Sequence, residues 1–245
     1  MVRVTTVGSG DAFGSGGRFQ TCIALAVEEA SVPSVLLDCG ATSLTALRRH
    51  QIDPSQIETV LVTHLHGDHF GGLPFLVLDG QFRRRTHDLT VVGPPGTRAR
   101  LEQAMEVLFP GSSSVQRRFA VHVVEHVDRR PIELGSLRVT AYEVSHDSGA
   151  PAYALRVDGP QASVAYSGDT EWTDALLDAA DNVDLFLCEG YSQTPVRWHL
   201  DLDTLARHRD QLTCRQFVLT HLAPSALASD LSRWQVAHDG WSLDL

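Results

Sequence analysis

The stretch Thr63-His64-Leu65-His66-Gly67-Asp68-His69, directly after the apolar run Thr59-Val60-Leu61-Val62, constrains this chain more than any other feature. The apolar run has the length and composition of a short buried strand. It ends by delivering three imidazoles and a carboxylate, within six residues, to the rim of a core. Burying such groups without partners is costly. A dication satisfies them together, because neutral imidazole and carboxylate are ligands that Zn²⁺ and other first-row dications accept. The cluster therefore predicts a metalloenzyme whose remaining ligands lie elsewhere in the sequence.

A dication takes about four ligands, and a catalytic one keeps a position open for water or substrate. One ion can take His64, His66 and a further histidine, and a second can take Asp68, His69 and another. The missing partners are best placed at strand ends, where rigid backbone aims them. His146 follows the apolar stretch Leu137 to Val144, and Asp169 follows Ser163 to Ser167 within Ser167-Gly168-Asp169-Thr170. His221 follows Phe217 to Thr220. Each alone reads more readily as a capping or surface residue. Together with the cluster they complete the count of a two-metal site, with the Asp169 carboxylate as its natural bridge.

Around these residues the pattern alternates strands and helices. Strands are expected at Arg3 to Val7, Cys22 to Val27, Val35 to Asp38, Thr59 to Val62, Leu89 to Val92, Val121 to Val124, Leu137 to Val144, Ala152 to Val157, Ser163 to Ser167, Leu185 to Cys188 and Phe217 to Thr220. Helices are expected at Thr42 to His50, from Gly71 to Leu78, at Thr97 to Phe109 with Thr97 as N-cap, and at Thr173 to Ala180 with Thr173 as N-cap. Two more are expected at Thr204 to Leu212 and Ala226 to Val236. Strands open each half of the chain and helices close it, an order that suits two sheets packed face to face with helices outside.

No repeat or linker divides the 245 residues, so 1–245 is read as one domain, and 43% apolar residues suffice for a substantial core. No apolar run is long enough to cross a bilayer, and the N-terminus lacks the apolar segment of a signal peptide, which predicts a cytoplasmic location and no membrane partner. Cys22, Cys39, Cys188 and Cys214 are scattered and read as free, buried thiols. The formal net charge of −10 disfavours nucleic acid and anionic lipid as partners. Arg83-Arg84-Arg85, the one basic run, reads as a solvated loop. His50, His87, His122, His126, His208 and His238 read as surface or helix-end residues, and Trp172, Trp198, Trp234 and Trp241 as core or interface residues.

The ordered series His64-x-His66-x-Asp68-His69, His146, Asp169 within Ser-Gly-Asp-Thr, and His221 resembles that of the metallo-β-lactamase superfamily. Asp38, in Leu36-Leu37-Asp38-Cys39-Gly40, resembles that family's earlier strand-end aspartate, a supporting residue. The resemblance covers essentially the whole chain. It implies an α+β fold, the four-layer αβ/βα sandwich of two mixed sheets with outer helices, and metals at one edge. It implies His64, His66 and His146 on one ion, Asp68, His69 and His221 on the other, and Asp169 between. Two divalent ions are expected, Zn²⁺ first, with Mn²⁺ or Fe²⁺ as alternatives. A redox di-iron centre is disfavoured, because the oxygen-reducing version of the fold has a glutamate where His66 stands.

Further features resemble the ribonuclease Z branch: Gly8-Ser9-Gly10 running into Gly14-Ser15-Gly16-Gly17-Arg18, and Cys188-Glu189-Gly190 followed by His199. In that branch the glutamate–histidine pair assists proton transfer or binds phosphate oxygen. The tRNA-processing members carry a long arm, placed in their long bacterial form between the third histidine and the bridging aspartate. Here only 22 residues, 147 to 168, separate His146 from Asp169, which leaves no room for it. The reading is a hydrolase that cleaves a small phosphodiester with metal-activated water, with Asp68, Glu189 and His199 as catalytic residues and a homodimer implied by the resemblance. Large RNA is not an expected partner. Two alternatives remain: a carboxylic ester, lactone or thioester hydrolase on the same fold, and a ligand-binding or sensor protein with little turnover.

Overall fold

The computed structural model describes residues 1–27 and 32–245. Along the chain, β1 (Arg3–Gly8), β2 (Cys22–Ala26) and β3 (Val35–Leu37) precede α1 (Ser43–Arg49) and β4 (Thr59–Leu61). Then come α2 (Gly67–Phe70), α3 (Leu73–Phe82), β5 (Leu89–Gly93), α4 (Thr97–Leu108) and β6 (Val121–Glu125). The second half runs β7 (Ile132–Leu134), β8 (Leu137–Val144), β9 (Ala152–Asp158), β10 (Ser163–Tyr166), α5 (Ala175–Ala179), β11 (Leu185–Glu189), α6 (Leu202–His208), β12 (Gln216–Thr220), α7 (Pro224–Leu227) and β13 (Trp241–Asp244).

The strands form two mixed sheets, ordered β13-β1-β2-β3-β4-β5-β6 and β12-β11-β10-β9-β8-β7. Strands β3 to β6 run parallel, as do β10, β11 and β12, whereas the remaining pairs are antiparallel. The central strands are apolar at nearly every position because both of their faces are covered. The two-residue period sorts them: Leu37, Leu61, Leu185 and Leu187 face the core between the sheets, with Ile23, Leu155 and Tyr166. Their neighbours Leu36 and Val60 pack under α1, α3 and α4, against Leu47, Leu73 and Leu101. Phe186 and Cys188 pack under α5 and α6, against Leu176, Leu202 and Leu205. A slip of one residue in any of these strands would exchange the two faces, so the pattern also sets the register. This is the four-layer sandwich that the sequence implies. Among the described residues, no helix is long and apolar enough to cross a membrane.

Local expectations fail where polar groups find other partners. Helix α4 is capped by Gly96, in the left-handed conformation at φ 92°, while the Thr97 hydroxyl donates to the Pro94 carbonyl instead. Asp174, not Thr173, is the residue preceding α5. Helix α6 starts before Thr204, because the Asp201 carboxylate accepts from both the Thr204 amide (2.8 Å) and its hydroxyl (2.7 Å). The helix expected over Ala226 to Val236 is only the four-residue α7. An Asp230 side chain that accepts from the Ser232 amide turns the chain, and Gln235 and Ala237 then bond to Leu219 of β12. That path leads into β13, an edge strand on β1 that, like β7, was not expected. Arg83 and Arg84 are exposed, but Arg85 is buried with its guanidinium donating to the carbonyls of Ile57 (2.6 Å) and Asp88 (2.8 Å), so the basic run is not wholly a solvated loop. The four cysteines are free and buried, as expected.

Candidate metal centre

One edge of the sandwich collects the carboxyl ends of its parallel strands, where open α/β sheets place their ligands. Asp38 follows β3, Thr63 to His69 follow β4, Asp169 follows β10, Glu189 ends β11 and His221 follows β12. His146 arrives there from the antiparallel β8. Several of these positions bend sharply. Asp38 (φ 59°) and His221 (φ 58°) occupy the left-handed region that non-glycine residues avoid, as they leave their strands toward the site. Gly168 (φ 59°) lies so close to its surroundings that a Cβ there would stand 2.9 Å from the Thr63 Cβ, so only glycine lets Asp169 approach the histidine cluster.

All seven residues read as ligands from the sequence meet in two groups. His64, His66 and His146 form one, and Asp68, His69, Asp169 and His221 the other, each with ligand atoms within 4.8 Å of one another. In the first, His146 Nε2 lies 3.1 Å from His66 Nδ1. In the second, His69 Nε2 lies 3.2 Å from both Asp68 Oδ2 and Asp169 Oδ1, and His221 Nε2 lies 3.3 Å from Asp169 Oδ2. Asp169 Oδ2 is also 3.9 Å from His64 Nε2, which puts this carboxylate between the groups.

Each of four imidazoles is held from behind by its Nδ1. Asp38 holds His69 (2.6 Å), the Thr63 hydroxyl holds His64 (3.0 Å), the Thr21 hydroxyl holds His221 (3.0 Å) and the Trp198 carbonyl holds His146 (2.7 Å). Thr63 is itself fixed by donating its amide to Asp38 (2.8 Å). With Nδ1 donating, the Nε2 lone pairs turn inward, the arrangement that orients histidine toward a metal. The buried Nε2 of His64 has no hydrogen-bond partner, and the buried Nε2 of His69 and Oδ1 of Asp169 approach each other at 3.2 Å without hydrogen-bond geometry. Buried polar atoms are rarely left so, and this set of nitrogen and oxygen donors fits divalent ions of the zinc type.

The charge distribution supports the same fit. Burial depresses the pKa of His64 well below the ordinary histidine value, and also lowers those of His146 and His221, so these rings are neutral donors. Burial opposes a charge on His69 too, but the carboxylates of Asp169, Asp68 and Asp38 outweigh it and hold that pKa well above the ordinary value. The second group thus draws positive charge to itself, a demand that a dication meets.

Beside the two groups stand Glu189 and His199. Glu189 is fully buried and its Oε2 lies 2.9 Å from His199 Nδ1, while its Oε1 accepts from the amides of Thr170 and Leu200. Burial and the charge of Asp169 push Glu189 up to about 7. Burial opposes the His199 imidazolium, but the bond to Glu189 raises the ring to about 9. Tyr191 stacks on His199, with ring centroids 4.1 Å apart at 17°. Tyr191, Thr21 and Glu171 are not marked in the sequence: Tyr191 and Glu171 lie in loops, and Thr21, just before β2, meets His221 only through the fold. His126, read as a surface residue, is buried against Tyr153 with its pKa lowered to about 4 by burial. Arg18, from the glycine-rich loop, turns its guanidinium to the Ala237 carbonyl (2.9 Å).

Residues 34–222 match the model of the beta-lactamase superfamily domain, and the chain belongs to that superfamily in its metallo-β-lactamase fold. It is 33% identical over 217 residues to an uncharacterized protein of Mycobacterium leprae (strain TN), spanning 85% of this chain and 74% of that one. It is also 34% identical over 151 residues to the ribonuclease Z of Bacillus licheniformis, spanning 62% of this chain and 47% of the enzyme's length. The crystal structure of a diphosphatase from the PhnP family superposes with a TM-score of 0.79 at 20% identity, covering 100% of this chain and 98% of that one, which shows a shared fold. Strands β9 and β10 with their short connections occupy the whole span from His146 to Asp169.

Proposed function

We propose that this chain is a single-domain, binuclear metal-dependent phosphodiesterase for small substrates. His64, His66 and His146 would hold one divalent ion, Asp68, His69 and His221 the other, and Asp169 both. When bound, two such ions, Zn²⁺ by the character of the donors, lower the pKa of water and neutralise charge on a phosphoryl oxygen. Asp68 would hold its ion through one carboxylate oxygen, leaving the other to orient an attacking water and accept its proton. His199 faces the phosphate as a hydrogen-bond donor through Nε2, because Nδ1 is committed to Glu189. A cationic donor there stabilises the charge that gathers on phosphoryl oxygens in the transition state, and can pass a proton to the departing alkoxide. Glu189, accepting from Nδ1, fixes the ring and favours its charged form, and solvent returns the proton to Nε2.

The observation that carries the phosphodiester reading is the Glu189–His199 pair, 2.9 Å apart beside the ligand groups. A carbonyl hydrolase on this fold has no need of a second, histidine-borne charge beyond its metals. The names of the ribonuclease Z relative and of the structurally similar diphosphatase point to phosphate chemistry as well. The short span after His146 and the net charge of −10 favour a small substrate over RNA. Hydrolysis of bis-p-nitrophenyl phosphate by His199→Gln tests the reading. We expect intact metal content and a loss on the order of 10²-fold in kcat. A metal-loaded wild-type protein that ignores phosphodiesters while cleaving lactones or thioesters contradicts it.

A further inference from the structure

Glu171 follows the Ser-Gly-Asp-Thr motif and belongs to neither ligand group. Its Oε1 accepts from the backbone amide of Trp198 at 2.9 Å, and its Oε2 accepts from the Ser145 hydroxyl at 3.3 Å. Its own amide donates to the Ser145 carbonyl at 2.9 Å. Trp198 is in the left-handed region at φ 74°, a conformation that bulky residues avoid. That conformation turns the Trp198 carbonyl toward His146, whose Nδ1 lies 2.7 Å away. The Arg197 guanidinium covers the Trp198 ring at 4.3 Å, and a backbone bridge from Val196 to His199 closes the turn.

We infer that Glu171 is the positioning residue of the all-imidazole pocket: it holds Trp198 in its strained turn so that the Trp198 carbonyl sets the ring of His146. The inference rests on the reading of His146 as a ligand. The other three buried ligand imidazoles are held by side chains of strands or strand ends, Asp38, Thr63 and Thr21, which packing keeps in place. His146 alone depends on a loop carbonyl, and a carbonyl can be aimed only by fixing the loop. The Glu171 carboxylate does this from the residue next to Thr170, whose hydroxyl accepts from the Ser145 amide at 3.1 Å. Both ends of the device, Ser145 beside His146 and Glu171 beside Thr170, therefore move together. Because the same turn carries His199, Glu171 also ties the position of that ring to the position of the metal pocket.

The test is Co²⁺ binding to metal-free protein, followed by absorption spectrum and by ions bound per chain. Wild type is expected to bind two ions. Glu171→Ala is expected to weaken only one of them, by tenfold to a hundredfold, the usual cost of losing the partner behind a ligand. Glu171→Gln keeps an acceptor for the Trp198 amide and is expected to restore both. Glu171→Asp keeps the charge but is too short to reach Trp198, and is expected to behave as the alanine variant does; it serves in its place should Glu171→Ala fail to fold. His146→Ala is the control and is expected to lose one ion. Two ions bound at wild-type affinity by folded Glu171→Ala or Glu171→Asp overturn the inference. Two ions bound by His146→Ala overturn instead the ligand reading beneath it. Equal weakening of both ions in the Glu171 variants marks a general structural role and also contradicts the inference.

Discussion

The two ligand groups lie side by side on one edge of the sandwich and are built on opposite principles. His64, His66 and His146 offer three imidazoles and no carboxylate of their own, whereas Asp68, His69, Asp169 and His221 bring two carboxylates to two imidazoles. Burial drives His64 and His146 to the neutral form, while three carboxylates hold the His69 pKa high. An ion in the first pocket would keep more of its charge for a substrate. An ion in the second would be neutralised by the carboxylates and held more tightly. Asp169 couples the two, since its Oδ2 faces His221 at 3.3 Å and His64 at 3.9 Å. Under the proposed function this implies a division of labour, with one pocket for anchoring and one for polarising the phosphoryl group.

Substitutions can break this comparison or refine it. The largest effect is expected at the shared carboxylate: Asp169→Ala should lose both ions in metal analysis and lower phosphodiester hydrolysis by about 10³-fold or more, since the charge-stabilising machinery goes with them. Retention of two ions would remove Asp169 from its bridging place. Next, Asp38→Asn should weaken the carboxylate-rich pocket by about tenfold to a hundredfold in metal affinity, because it removes the charge behind His69, and the all-imidazole pocket less, through the Thr63 contact that sets His64. Equal weakening of both pockets would show that they are not separately supported. A smaller effect is expected from stepwise chelation of the wild type, which should strip the all-imidazole pocket first, read as a Co²⁺ spectrum that loses one component before the other. In Asp38→Asn the order should move toward simultaneous release.

Much of this arrangement can be read before any coordinates, for a physical reason. His64 to His69 are contiguous, and Asp169 and His221 each follow an apolar run whose period and length announce a buried strand. A polar ligand type at such a boundary is a strong signal, because the strand fixes where it points. The contacts that set the rings are different. Thr21 and Thr63 sit beside strand ends but act from behind the rings, and Glu171 acts from a loop, so no spacing marks any of the three. Trp198 contributes only a carbonyl, whose direction depends on a left-handed φ that no tryptophan advertises. The same limit explains the segment after α7. Its apolar residues suit a helix by spacing, but Asp230 and the free edge of β12 compete for its backbone, and they win. His126 was misread because a histidine at the end of a half-exposed strand gives no sign that the chain turns it inward.

The proposed site is binuclear and acts on phosphodiesters. The most direct measurement titrates metal-free protein with Zn²⁺ while following both ions bound per chain and the hydrolysis of bis-p-nitrophenyl phosphate. Activity is expected to rise with metal, to saturate at two ions per chain, and to be lost with both ions in Asp169→Ala. Saturation with two ions and no phosphodiester turnover, or full turnover with none bound, would contradict it.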